Sequence, residues 1–256
     1  MRFHNKEEKQ MQSIITHTQM ELRLFFRETL ALLFTFIVPA VSFVVFGLMF
    51  ESNSYEGLNY FQAYIPSMIA IIIFTTAFFS MGLQIVIDRE KGVYKRLKGT
   101  PINQNAIFTA TILKGFIAIY VGAIEILLIA KFGFGSELTA HPFEFFVALT
   151  FSAITFFSIG FIVSSITKRM QTALGVAMIA MYPMMFLSGA TIPLETYPEI
   201  LQKIAAIVPL TYVVNVLRDG WNGTLFSSGA LLDIGILFGI LIVSMIIGLK
   251  YFKWTD

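Results

Sequence analysis

Six stretches of this chain, at about 29–50, 62–87, 106–130, 143–166, 171–190 and 231–249, are apolar over the roughly 20 residues needed to cross about 30 Å of hydrocarbon. In hydrocarbon every backbone N–H and C=O must find its partner inside the protein, so each stretch is expected to be helical. The expected fold class is an all-α integral membrane protein with six transmembrane helices. Composition agrees, with 56% hydrophobic residues and only 13% charged, against about 25% charged in a soluble domain. Residues 1–256 read as one transmembrane domain, since no stretch is long enough and polar enough to form a water-soluble lobe. A formal charge of +2 gives a nucleic-acid partner no support. With no cysteine, disulfides, thiolate nucleophiles and cysteine metal sites are excluded. Residues 1–28 are polar and no A-x-A-like cleavage site follows, so the first span is expected to insert and stay.

Lysine and arginine set the orientation. Of the 18 in the chain, all but Lys114, Lys131, Lys203 and Arg218 fall in the N-terminal segment, the second and fourth connections, or the C-terminal tail. Both ends are therefore expected in the cytoplasm, in a multi-pass protein of a bacterial plasma membrane.

Three segments outside the spans carry more. Residues 11–29 repeat Met11, Ile14, Ile15, Thr18, Leu22, Phe25 and Phe26 at helical spacing, with Arg23, Arg27 and Glu28 off the stripe. That pattern predicts an amphipathic helix in the cytoplasmic interface. The connection 88–105 holds a possible short helix stopped by Gly99 and Pro101, in which Val93, Tyr94 and Leu97 form a small apolar patch for a partner's groove. A solvated basic loop would have the same composition. Outside, 191–230 is cut by Pro193, Pro198 and Pro209 into pieces too short to cross. Two short amphipathic helices there predict a re-entrant helical hairpin between spans 5 and 6, or else a loop lying on the membrane.

Catalytic patterns are missing. No H-E-x-x-H, G-x-S-x-G or G-x-x-x-x-G-K-[ST] occurs, and His4, His17 and His141 are too dispersed to argue for a metal site. Any ATP hydrolysis must come from another polypeptide, so the chain is not read as an enzyme.

Two stretches carry a family resemblance. Asp88-Arg89-Glu90-Lys91-Gly92, with Leu97, Thr100 and Pro101, resembles the cytoplasmic coupling segment of type-2 ABC exporter permeases, Val93 standing where that family usually has Thr. Leu187-Ser188-Gly189, Ile192-Pro193-Leu194, Pro198, Pro209-Leu210-Thr211-Tyr212 and Arg218 are similar to that family's pattern near the fifth span, above all in its drug-exporting branch. The resemblance implies a permease subunit that pairs with a second permease subunit, the same or homologous, within membrane lipid. Two separate ABC ATPase subunits would bind its cytoplasmic face and carry the ATP and Mg, leaving no cofactor in this chain. It implies coupling through Asp88, Arg89, Glu90, Lys91, Gly92, Val93, Tyr94 and Leu97, with Thr100 and Pro101. Ser188, Gly189, Pro193, Pro198, Pro209, Tyr212 and Arg218 would then build the outer gate.

Within the spans, Lys114 and Glu125 lie eleven residues apart and so on nearly one helix face, candidates for a transport pathway or for snorkelling to the interfaces. Gly235 and Gly239, like Gly160 and Ser164, are spaced for close helix approach. Apolar spans suit a hydrophobic or amphipathic cargo such as a drug, antibiotic, lipid or peptide. A permease for polysaccharide, or a stand-alone secondary transporter or channel, is the alternative.

Overall fold

The computed structural model describes residues 2–50, 54–55, 58–98, 104–191, 194 and 197–252. Thr100, Pro101 and Pro193 lie outside the described residues, as does the side chain of Leu97.

Helix follows hydropathy almost throughout. The elements are α1 (Arg2–Phe25), α2 (29–50), α3 (60–90), α4 (Val93–Lys98) and α5 (104–133). After these come α6 (Pro142–Ile166), α7 (Met170–Leu187), α8 (Glu199–Ala205), α9 (Pro209–Asn222) and α10 (Ser228–Tyr251). Among the described residues the only strands are a two-residue antiparallel ladder, Ser54 opposite Asn59 and Tyr55 opposite Leu58. Among the described residues five helices are long and apolar enough to cross a membrane: Ala63–Glu90, Ala106–Gly133, Pro142–Ile166, Met170–Leu187 and Ser228–Tyr251. The sixth expected stretch, 29–50, is helical throughout, but its unbroken apolar part, Leu33–Met49, is shorter.

Nearly all of α3 is buried, because α2, α5, α6, α7 and α9 pack around it. Its side chains make the core, with Ile65, Met68, Ile69, Ile72, Ile73 and Phe74 almost fully enclosed. The outer helices turn Val121, Ile179, Leu232 and Ile246 outward, as a lipid-covered surface allows. Midway, α3 widens into a π-helical turn over Ala77–Leu83, and α6 packs against it. Gly160 makes that approach possible, since a Cβ there would overlap the Ala77 carbonyl. Gly235 and Gly239, by contrast, have nothing within 4 Å of where a Cβ would stand, so their face of α10 is unpacked among the described residues.

The N-terminal amphipathic segment is a helix, and its last turns run beside α5. Glu21 meets Lys114, and one turn on Phe25 clusters with Ala118, so the two helices run parallel there. Residues 199–222 form two helices bent by 87°, which would add a span only if taken as one.

Candidate functional site

Sequence-predicted residues converge at the end of the bundle where most lysines and arginines lie. Here α3 stops because Gly92 takes φ +70°, a left-handed conformation that glycine adopts without steric cost. Its carbonyl then accepts from Arg96 N at 3.2 Å, as α4 begins. The last two residues of α3 reach across to one turn of chain. Arg89, only 7% exposed, donates through Nη2 to the Ser164 carbonyl at 3.0 Å and to the Thr167 carbonyl. Those carbonyls close α6, where the helix leaves acceptors unpaired and its dipole favours a cation. Glu90 Oε2 accepts from Met170 N at 2.7 Å. That amide opens α7, whose N-cap residue Arg169 provides no side-chain cap. One dipeptide thus holds both ends of the 167–169 turn, each with the charge that the adjoining helix end prefers.

The structure corrects the expected partner patch. Tyr94 is 6% exposed and buried against its own chain, where burial first, then Asp88 and Glu21, raise its phenol above the usual range. Val93 is half-buried, and α4 presents Lys95 and Arg96 outward instead. Lys91 and Glu90 are also exposed.

Beside this clamp lies a charged cluster that sequence reasoning saw only in part. Lys114, 2% exposed, donates to Glu21 Oε2 at 2.7 Å and fastens α1 to α5. Asp88 Oδ1 accepts from Gln84 Nε2 at 3.1 Å. Glu28 lies within the field of the same groups: burial raises its carboxyl, Lys114 lowers it, Glu21 raises it and Lys91 lowers it. Lys114 and Glu125 do share the side of α5 that faces α1 and the start of α2. Lys114 meets Glu21 of α1 there, and Glu125 opens into a groove with Phe26 and Phe36.

At the opposite end, Arg218 ties α9 to α3 and to the chain just after α7. It donates to the Ala63 carbonyl at 3.4 Å, Ser67 Oγ at 3.1 Å and the Gly189 carbonyl at 3.2 Å. Ser188 is buried and its Oγ accepts from Ala190 N at 3.2 Å. Pro198 caps α8 and Pro209 opens α9, both where a missing N–H costs nothing. Between them, Thr211 Oγ1 donates to the Ala205 carbonyl at 2.8 Å and the Tyr212 hydroxyl to the Ala206 carbonyl, which pins the bend. Asn215 Nδ2 donates to Asp233 Oδ2 at 2.9 Å, tying α9 to α10. Asn215 and Asp233 went unnoticed in the sequence. Their only signal is a polar residue on α9 and an acid at the start of the last span.

Glu21, the Arg89–Glu90 clamp, Lys114 and Arg218 all lie inside one family match: residues 12–221 correspond to the family described as ABC-2 type transporter. The chain is a member of the ABC-2 type transporter family. With five helices among the described residues long and apolar enough to cross a membrane, it is a multi-pass membrane permease. Among its relatives, the "Putative transport permease ycf38" of Cyanophora paradoxa is 27% identical over 89% of this chain and 83% of that protein. The "Daunorubicin resistance ABC transporter permease protein DrrB1" of Streptomyces coeruleorubidus is 25% identical over 82% of this permease and 75% of its own length. The "Probable multidrug ABC transporter permease YbhR" of Escherichia coli (strain K12) is 23% identical over 64% of this permease, but only 44% of its own length is covered.

Proposed function

We propose that this permease is the membrane half of an ATP-driven exporter that moves a hydrophobic or amphipathic compound outward. It would work as one of two permease subunits, with separate ATPase subunits at the basic end. The observation that carries this reading is the Arg89–Glu90 clamp, because it makes the resembling coupling segment mechanically continuous with α6 and α7. Lys95 and Arg96 on α4 would meet an acidic surface of the ATPase. A push on α4 would pass through the Gly92 turn into α3 and, through the clamp, into the ends of α6 and α7. The Glu21–Lys114 pair would carry the same push between α1 and α5. At the far end Arg218 joins α3 to α9, so the bent pair α8–α9 would respond as a re-entrant outer gate. The unpacked Gly235–Gly239 face of α10 suits close contact with a second permease subunit. Two relatives with resistance and multidrug names support an amphipathic drug-like cargo.

Co-expression with its cognate ABC ATPase tests the reading. The two should co-purify, and ATP hydrolysis by the complex should rise with cargo. A permease that never retains an ATPase, or one that hydrolyses ATP alone, would overturn it.

A further inference from the structure

Glu125 is the one charged residue of α5 between Lys114 and Lys131. Its Oε2 is buried and has no hydrogen-bond partner among the described residues. A carboxylate within a span, without a partner, is costly to keep and marks a functional position. Lys114, its neighbour on the same helix, is already held by Glu21 at 2.7 Å. Arg27, next to Phe26 in the sequence, is exposed and forms no ion pair with Glu125 among the described residues.

The carboxylate opens into a groove of about 510 Å³ between α5 and the α1–α2 junction. That volume falls within the roughly 300–1,000 Å³ of small-molecule sites. Every other lining residue is apolar, and two of them, Phe26 and Phe36, bring aromatic rings. Phe26, Val121, Ile124 and Leu128 remain substantially exposed, so nothing among the described residues covers the groove. One carboxyl group without a partner, two rings and an apolar wall are complementary to one kind of molecule. That molecule has a single positive charge to face the carboxylate and rings, and an apolar body to fill the rest.

We propose that this groove binds a lipophilic organic cation, with Glu125 as counter-ion and Phe26 and Phe36 as its aromatic walls. This deepens the exporter reading by naming the substrate class, and it rests on that reading only for the direction of movement. Glu125→Gln keeps the shape and removes the charge, whereas Glu125→Asp keeps the charge.

Equilibrium binding of tetraphenylphosphonium and of neutral tetraphenylmethane to the full chain in lipid nanodiscs, corrected for empty nanodiscs, tests it. The parent should bind the cation at least tenfold more tightly than the neutral molecule. Glu125→Gln should abolish that preference without weakening tetraphenylmethane, Glu125→Asp should keep most of it, and Phe36→Ala should weaken the cation severalfold. A parent that shows no preference for the cation overturns the proposal whatever the variants do. So does a folded Glu125→Gln that retains the preference, or one that loses both probes equally. An ATPase that still co-purifies with such a parent leaves the exporter reading standing. An ATPase that never associates removes that reading while the binding result stands.

Discussion

Glu90 Oε2 accepts the Met170 amide at 2.7 Å, so the last residue of the central helix caps the first residue of α7. The two residues are far apart in sequence, and the contact joins a segment that resembles a coupling element to a span it does not adjoin in the chain. Replacing Glu90 removes the side-chain cap of α7. Glu90→Ala should cost about 0.5–2 kcal/mol of stability and lower ATP-coupled transport by more than that loss explains. Glu90→Gln retains an acceptor oxygen and should recover most of the stability. Thermal unfolding in detergent and cargo-stimulated ATP hydrolysis by the complex are the two readouts. Equal behaviour of Ala and Gln would dismiss the cap.

The Glu21–Lys114 pair is buried on the lysine side. Removing one partner of a buried pair costs about 3–5 kcal/mol, while replacing both by apolar residues is often neutral or stabilising. Glu21→Leu or Lys114→Met alone should therefore lower the unfolding midpoint markedly. The double variant should restore stability but leave α1 without its charged tether. If α1 carries motion to α5 through that tether, transport stays low in the stable double variant. Full transport there would reduce the pair to a packing contact.

Gly160 lies where α6 meets the π-helical turn of α3. Gly160→Ala puts a methyl group into backbone rather than into a movable side chain. Overpacking of this kind costs about 1–3 kcal/mol, so the unfolding midpoint should fall. Gly235→Ala and Gly239→Ala meet nothing within the chain and should leave the isolated permease unchanged. Any effect of the latter two should appear only in crosslinking between permease subunits.

Orientation can be checked directly, because the chain contains no cysteine. Glu137 and Gln171 are both exposed and lie at opposite ends of the bundle. Glu137→Cys should react with an impermeant maleimide in intact cells and Gln171→Cys should not. The reverse pattern would invert the proposed topology. Ser136, although next to Glu137, is buried and makes a poor reporter.

Local chemistry was enough to decide much of this protein. Apolar runs of span length have one solution in hydrocarbon, so the five long helices and the helix at 29–50 were legible from hydropathy alone. Pro198 and Pro209 announced the two short helices between α7 and α10, because proline suits a first turn and interrupts whatever precedes it. The motif residues that carried the family resemblance were readable as a pattern without any structure. Their work was not. Arg89 and Glu90 find their partners in carbonyls and an amide 75 to 80 residues away, and no periodicity encodes which helix end will arrive beside them. Tyr94 looked like part of an outward patch because a six-residue helix has no spacing long enough to reveal its buried face. Lys114 and Glu125 share a helix side by arithmetic, yet only the packing of α1 decided that Glu21 neutralises the first and leaves the second facing an apolar groove.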